Sequence, residues 1–291
     1  MKTLFSLFLL ALTPALSAQD KPAYRIFNSE GKPVTYADMI KSASGADVVF
    51  FGELHDDPIA HWLELEVSKS LFDQKKGNIV LGAEMFETDN QLLLDEYLKG
   101  VYDAARFEAE AKLWNNYKTD YKPLVEFARA NGIPFIATNV PRRYANVVNR
   151  KGFEGLDSLS AEAKKYIAPL PLLYDPELKG YKDMLKMEGM GGPMQAHATA
   201  NLPKAQALKD ATMAHFILKN RDNDKIFVHF NGSYHSSNFE GIVWYLLKAN
   251  PSLKILTIET VRQKDTSEPG KANLKIASFI IVIPETMTRT Y

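Results

Sequence analysis

Two short stretches of the chain share one spacing of chemistry-bearing residues. Gly52-Glu53-Leu54-His55 and Gly232-Ser233-Tyr234-His235 each place a histidine three positions after a glycine, directly behind an apolar run. Glu84 stands at the end of a third apolar run, and Asn139, Arg142 and Arg143 follow a fourth. Glu53 and His55 are two apart, so an extended chain points them the same way. Three chemistries fit these residue types. Two histidines and a carboxylate, His55, His235 and Glu84, can hold zinc while a second carboxylate acts as general base for hydrolysis. Without metal, His55 paired with Glu84 can activate water or a hydroxyl nucleophile, Arg142 or Arg143 taking up developing negative charge. Alternatively the arginines hold the carboxylates of an anionic apolar ligand, and a histidine or tyrosine reaches a metal within it.

The elements that must position these groups are legible in the hydrophobic pattern. Val48 to Phe51 has no polar alternation, as expected of a strand covered on both faces. Gly52 ends it, and Pro58 stands where a first helical residue belongs, behind Asp56 or Asp57 as N-cap of a helix over 58–75. Further core strands are predicted at 79–83, 134–138, 226–230, 253–259 and 277–283, with helices at 37–42, 89–99, 103–131, 205–218 and 238–248. Residues 23–36 look like a two-stranded preface turning at Ser29, Glu30 and Gly31. The fold class is α/β: a mostly parallel central sheet with helices on both faces. Parallel strands bring the four polar turns to one edge, where ligands bind in open α/β sheets.

From 151 to 200 the pattern breaks into a helical, Met-rich excursion cut by Pro169, Pro171 and Pro176. Met184, Met187, Met190 and Met194 frame a Gly189–Pro193 loop; flexible thioethers suit a surface closing over a flat apolar ligand, and equally suit gap-filling in a core. His197, beyond that loop, fits a ligand or an exposed position. Asp56 and Asp57 read as caps, and His61, His215 and His229 as packing or surface residues.

Composition narrows the class of partner. Lys plus Arg equals Asp plus Glu, 35 against 35, so no basic field gathers nucleic acid. Lys2, the apolar run after it and the small residues up to Ala18 have the parts of a secretory signal, which predicts removal of 1–18 and a single exported domain over 19–291. The chain has no cysteine, so thiolate ligation and lipid attachment at the signal are both excluded.

GELHDDP, LGAEMFETDNQ, YKPLVEFARANGIPFIATNVPRR, AQALKDATMAHFI and the GSYH turn, in this order, resemble the ChaN-like haem-binding uptake proteins of the Tiki superfamily, from about Asp47 to Lys248. The resemblance implies an exported, periplasmic or outer-membrane-associated bacterial protein that binds haem, often as a homodimer, beside an outer-membrane haem receptor. The wider superfamily includes metal-dependent proteases and erythromycin esterase-like hydrolases, whose catalytic groups match Glu53, His55, Glu84 and His235 here, with an arginine at Arg142 or Arg143. For haem, the residues themselves single out Tyr234 and His197 as ligands, with Arg142, Arg143, Met190 and Met194 around it; zinc remains the alternative cofactor.

Overall fold

Runs of β-branched and aromatic residues become the interior of one sheet because both their faces are covered. The computed structural model describes residues 21–186 and 200–291. Its strands are β1 (Arg25–Asn28), β2 (Val48–Glu53), β3 (Ile79–Glu87), β4 (Phe135–Asn139), β5 (Ile226–Gly232), β6 (Ile255–Gln263) and β7 (Phe279–Pro284). They lie in the order β1-β7-β6-β2-β5-β3-β4, and every neighbouring pair is parallel except β1 with β7. This is the α/β class expected from the sequence. β2 runs down the middle, Val48 opposite Phe227 of β5 on one side and Ile255 of β6 on the other.

Alternation along β2 serves two cores. Val49 and Phe51 pack with α1 (Tyr36–Ala43), α2 (Pro58–Gln74), α3 (Gln91–Leu98), α4 (Ala104–Glu110) and α5 (Lys122–Asn131). The chain then passes through α6 (Arg142–Lys151), α7 (Ala161–Lys164) and α8 (Lys179–Lys186). Val48 and Phe50 meet α9 (Leu202–Asn220) and α10 (Ile242–Ala249) on the opposite face. Burying such a side chain fully stabilises by roughly 1.5–3 kcal/mol, so these central strands anchor the edge that follows them. At the start of α2, Asp57 accepts hydrogen bonds from the amides of Ile59 and Ala60 at 3.0 and 3.2 Å, and Pro58 opens the first turn. The Arg262 guanidinium ties the same carboxylate down at 2.9 Å.

Several elements depart from the sequence expectation for identifiable reasons. The preface turns as expected, with the Asn28 amide donating to Lys32 O at 2.9 Å and the Val34 amide to Ile26 O at 3.0 Å, but its second arm is only an isolated bridge at Pro33, since proline has no amide to donate to a ladder, and β1 takes β7 as its antiparallel strand partner. β3 continues through Met85 and Phe86 to Glu87, so Glu84 lies inside the strand rather than beyond it. The helical region over 103–131 splits, with α4 ending at Glu110, a π-turn at Tyr117–Tyr121 and Pro123 in the first turn of α5. α10 starts late, at Ile242, because Asn238 and Phe239 sit at positive φ ahead of it. The expected signal at 1–18, and Met187, Met190, Met194 and His197, lie outside the described residues. Met184 lies in α8 and is buried. Among the described residues no helix is long and apolar enough to cross a membrane.

Candidate functional site at the carboxyl edge

Strand order decides what meets at the edge. With β5 between β2 and β3, Glu53, Glu84 and the Gly232–His235 turn become neighbours although nearly 180 residues separate Glu53 from Gly232 in the chain.

On the β2 side, His55 follows Glu53 with the expected common orientation, its Nδ1 2.6 Å from Glu53 Oε1. Tyr121 donates its hydroxyl to the same oxygen at 2.6 Å. Glu53 is buried, which alone would raise its pKa, but the hydrogen bond from His55 and the charge of His61 more than offset this and hold it below the usual carboxylate range. For His55, burial works against protonation, yet the hydrogen bond to Glu53 and the charges of Glu84 and Glu53 win, so its pKa is raised. Its imidazole lies edge-on to Trp114, 4.9 Å between ring centroids, and remains 37% exposed. It is the ring of this edge that a ligand can reach.

On the β3 and β5 side the groups are buried and fully engaged. Glu84 accepts the Gly232 amide at 2.9 Å on one oxygen and faces His235 Nε2 at 3.2 Å with the other. His235 Nδ1 lies 2.5 Å from Asp210 Oδ1, and the second oxygen of Asp210 accepts the Tyr181 hydroxyl at 2.7 Å. Burial lowers the pKa of His235, but Glu84 and Asp210 outweigh it and push it up to about 10. Glu84 is held well below its usual range despite burial, chiefly by the His235 charge. The arrangement is a buried carboxylate–imidazolium–carboxylate chain.

Glycine is required where these halves meet. A Cβ on Gly232 would lie 2.7 Å from both Cε1 and Nε2 of the His55 ring. Gly232→Ala is therefore expected to break the Glu53–His55 contact by swinging the half-exposed ring outward, at a stability cost of about 1–3 kcal/mol. Proton titration followed on the His55 ring by NMR checks it: the pKa should fall from its raised value toward that of a free imidazole, and an unchanged titration contradicts the contact.

The remaining expected residues are placed as follows. Arg142 and Arg143 open α6 just after β4. They line a cleft of about 620 Å³ with Lys112, against an apolar wall of Met85, Leu113 and Trp114, the residue that also packs on His55. Arg143 pairs with Asp89 at 2.5 Å. Tyr234 follows β5 directly, its ring edge-on to that of His235 at 5.5 Å, and its hydroxyl is buried without a hydrogen-bond partner against Gly180 of α8, burial pushing its pKa up. His229 is an internal residue of β5, bonded to Thr138 and Asn231, with its pKa lowered to about 4 by burial.

His61, expected to serve packing or to lie at the surface, packs edge-on to Tyr121 and also carries polar contacts. It is buried in α2 with Nδ1 3.1 Å from Glu64 Oε2 and 3.4 Å from Glu53 Oε2. The zinc alternative expected His55, Glu84 and His235 to converge; among the described residues, the set whose ligand atoms lie within 4.8 Å of one another is Glu53, His61 and Glu64. Asp210, Tyr121 and Trp114 were also missed. Asp210 had one signal, a lone carboxylate between Leu208 and Ala211 on an otherwise apolar stripe of α9.

Sheet and edge together define an α/β protein with a histidine–carboxylate site at the carboxyl ends of its central strands. The chain belongs to the family described as haem-binding uptake, Tiki superfamily, ChaN, which it matches over residues 39–246. Its fold is similar to that of ChaN of Campylobacter jejuni, in a structure concerned with cofacial haem binding, with a TM-score of 0.66 and 18% identity over 89% of this chain and 96% of that one. A Bacillus cereus protein gives a TM-score of 0.52 and 12% identity over 84% of this chain and 90% of its own. Among curated sequences, RETICULATA-RELATED 5, chloroplastic, of Arabidopsis thaliana is 28% identical over 130 residues, which is 43% of this chain and only 17% of the plant protein. Membership of the family supports a haem-related function.

Proposed function

We propose that this chain is an exported haem-binding protein of haem or iron acquisition, taking haem at the carboxyl edge of its sheet. The observation that carries this is the cleft beside His55, where Lys112, Arg142 and Arg143 face an apolar wall that includes Trp114. Haem is a flat apolar ring with two carboxylates, and this combination of wall and cations fits both parts. Arg142 and Arg143 hold the propionates. Tyr234, whose buried hydroxyl lacks a partner, and His197 are the candidate iron ligands, with Met190 and Met194 as further candidate haem-binding residues. Bound haem supplies iron as cargo, not as a catalyst. An outer-membrane haem receptor and a second copy of the chain are the partners proposed with this role.

Haemin titration of the protein lacking residues 1–18 tests it. A saturable Soret shift of fixed stoichiometry is expected, and Tyr234→Phe or His197→Ala should shift or abolish it. Replacing both arginines by alanine should weaken binding by roughly tenfold per side chain, with the larger share from Arg142 because Arg143 already pairs with Asp89. No saturable shift in the parent protein rejects the proposal. A doubling of mass on size-exclusion chromatography with haem would place the ligand between two copies.

A second function, hydrolysis, is favoured by one specific observation: the half-exposed His55 imidazole is polarised by Glu53 at 2.6 Å, the arrangement of a general base. Ester or peptide cleavage that disappears in His55→Ala while the fold persists would establish it.

A further inference from the structure

We propose that Glu53, His61 and Glu64 form a binding site for a divalent transition-metal ion, set behind the edge that faces the cleft and sharing Glu53 with it. Three side chains whose ligand atoms lie within 4.8 Å of one another converge between the end of β2 and the first turns of α2. His61 Nδ1 lies 3.4 Å from Glu53 Oε2 and 3.1 Å from Glu64 Oε2. Tetrahedral coordination with bonds of about 2.0–2.2 Å sets ligand atoms roughly 3.3–3.5 Å apart, so the His61–Glu53 spacing already suits an ion and the His61–Glu64 pair, hydrogen-bonded at 3.1 Å, needs to open only slightly.

The ring is already oriented for the task. His61 Nε2 lies 3.1 Å from the carbonyl oxygen of His55, and a carbonyl only accepts, so Nε2 carries a proton and Nδ1 is the nitrogen turned toward the two carboxylates. A histidine fixed through one nitrogen by a backbone carbonyl while the other faces the ion is the usual outer-shell arrangement of a metal ligand. Asn116 donates to the same carbonyl at 3.0 Å, and Tyr121 packs edge-on to the His61 ring at 5.1 Å, which holds the group from the side of α5.

The second, independent observation is an unmet demand. Glu53 is 1% exposed and Glu64 fully buried, yet Glu53 Oε2 and Glu64 Oε1 each lack a hydrogen-bond partner. Buried carboxylate oxygens are ordinarily satisfied, and leaving one bare costs more than any hydrogen bond it replaces. A cation between the three side chains meets Glu53 Oε2 directly, while Glu64 faces the same point through its other oxygen, Oε2. Two carboxylates and one imidazole suit Zn²⁺ or Co²⁺, with a water completing the shell. Glu53, whose other oxygen meets His55 Nδ1 at 2.6 Å, would then couple the ion to that part-exposed ring.

The test uses the full chain, stripped with chelator and titrated with Zn²⁺ by calorimetry and with Co²⁺ by visible absorption. A single saturable site with tetrahedral Co²⁺ bands is expected, together with a rise in melting temperature on adding Zn²⁺. Glu64→Gln keeps the shape of the side chain and should weaken binding at least about 100-fold, as should His61→Gln, since even outer-shell losses cost 10–100-fold. His215→Gln, on α9 and outside the edge site, should bind as the parent does. Absence of binding in the parent, binding that survives Glu64→Gln, or binding lost in His215→Gln each overturns the assignment; should His61→Gln fail to fold, Glu64→Gln alone decides.

Discussion

Asp210→Ala is expected to destabilise the protein by about 3–5 kcal/mol, the usual cost of removing one partner from a buried charge pair. Asp210 is fully buried in α9 and accepts from both His235 Nδ1 and the Tyr181 hydroxyl, so the substitution strands two donors in a site water does not reach. At about 2–4 °C per kcal/mol for a chain of this order of size, the melting temperature should fall by roughly 10 °C. Asp210→Asn keeps an acceptor and the shape and should lose less. The same chain of groups predicts a pH dependence. His235 is pushed to about 10 in the fold, from about 6.5 for a free imidazole, so its contribution to stability is complete below pH 6.5 and is lost as the pH rises toward 10. Glu84, held below its usual range, contributes above about pH 4.5 and loses that contribution on acidification. Stability should therefore peak between these limits and decline in alkali. In the metal-free protein His61, raised to about 10 by Glu64, Glu53 and Asp120 in spite of burial, adds to the alkaline loss, so Asp210→Ala should reduce that decline without abolishing it. Melting temperatures from pH 5 to 10 check this; a decline as steep in the variant as in the parent would show that His235 does not carry it.

Gly52→Ala has the next largest expected effect. A Cβ at this position of β2 would lie 2.1 Å from Oε2 and 2.5 Å from Cδ of Glu259, the residue opposite on β6. Glu259 is fully buried, and Ser236 donates to its Oε1 at 2.6 Å. Burial raises its pKa well above the usual range, more than the Ser236 hydrogen bond and the His235 charge lower it, so it stands as a neutral acid with no solvent to retreat into. Overpacking of this kind costs about 1–3 kcal/mol, and expelling the carboxyl from its hydrogen bond adds about 1–3 more. Neither neighbouring strand can yield, since β2 is paired on both sides. A double-mutant cycle with Glu259→Ala isolates the clash: the pair should be more stable than the sum of the single changes by at least about 1 kcal/mol, and strict additivity would refute it.

Local spacing carried a large part of the fold and some of the site. An unalternated run such as Val48–Phe51 demands cover on both faces, and Asp57-Pro58 defines a helix start within three residues. Two-residue spacing in an extended segment was enough to put Glu53 and His55 side by side. These interactions reach one or two turns along the chain, which is the range over which backbone geometry alone determines direction. The partners of His235 lie outside that range. Glu84 and Asp210 reach it because β5 inserts between β2 and β3 and because α9 crosses the face of the sheet behind that turn, and neither placement is written in the residues near His235. His61 and Glu64 sit three apart on α2, an ordinary helical pair until β2 delivers the Glu53 carboxylate to them. β1 likewise adds β7 to the short bridge it keeps with the segment after its turn, since an edge strand pairs with whatever unsatisfied ladder the assembled sheet presents. Local pattern specifies elements and their faces; the pairing of buried charges depends on which elements become neighbours, and that follows from burying the whole chain's apolar surface at once.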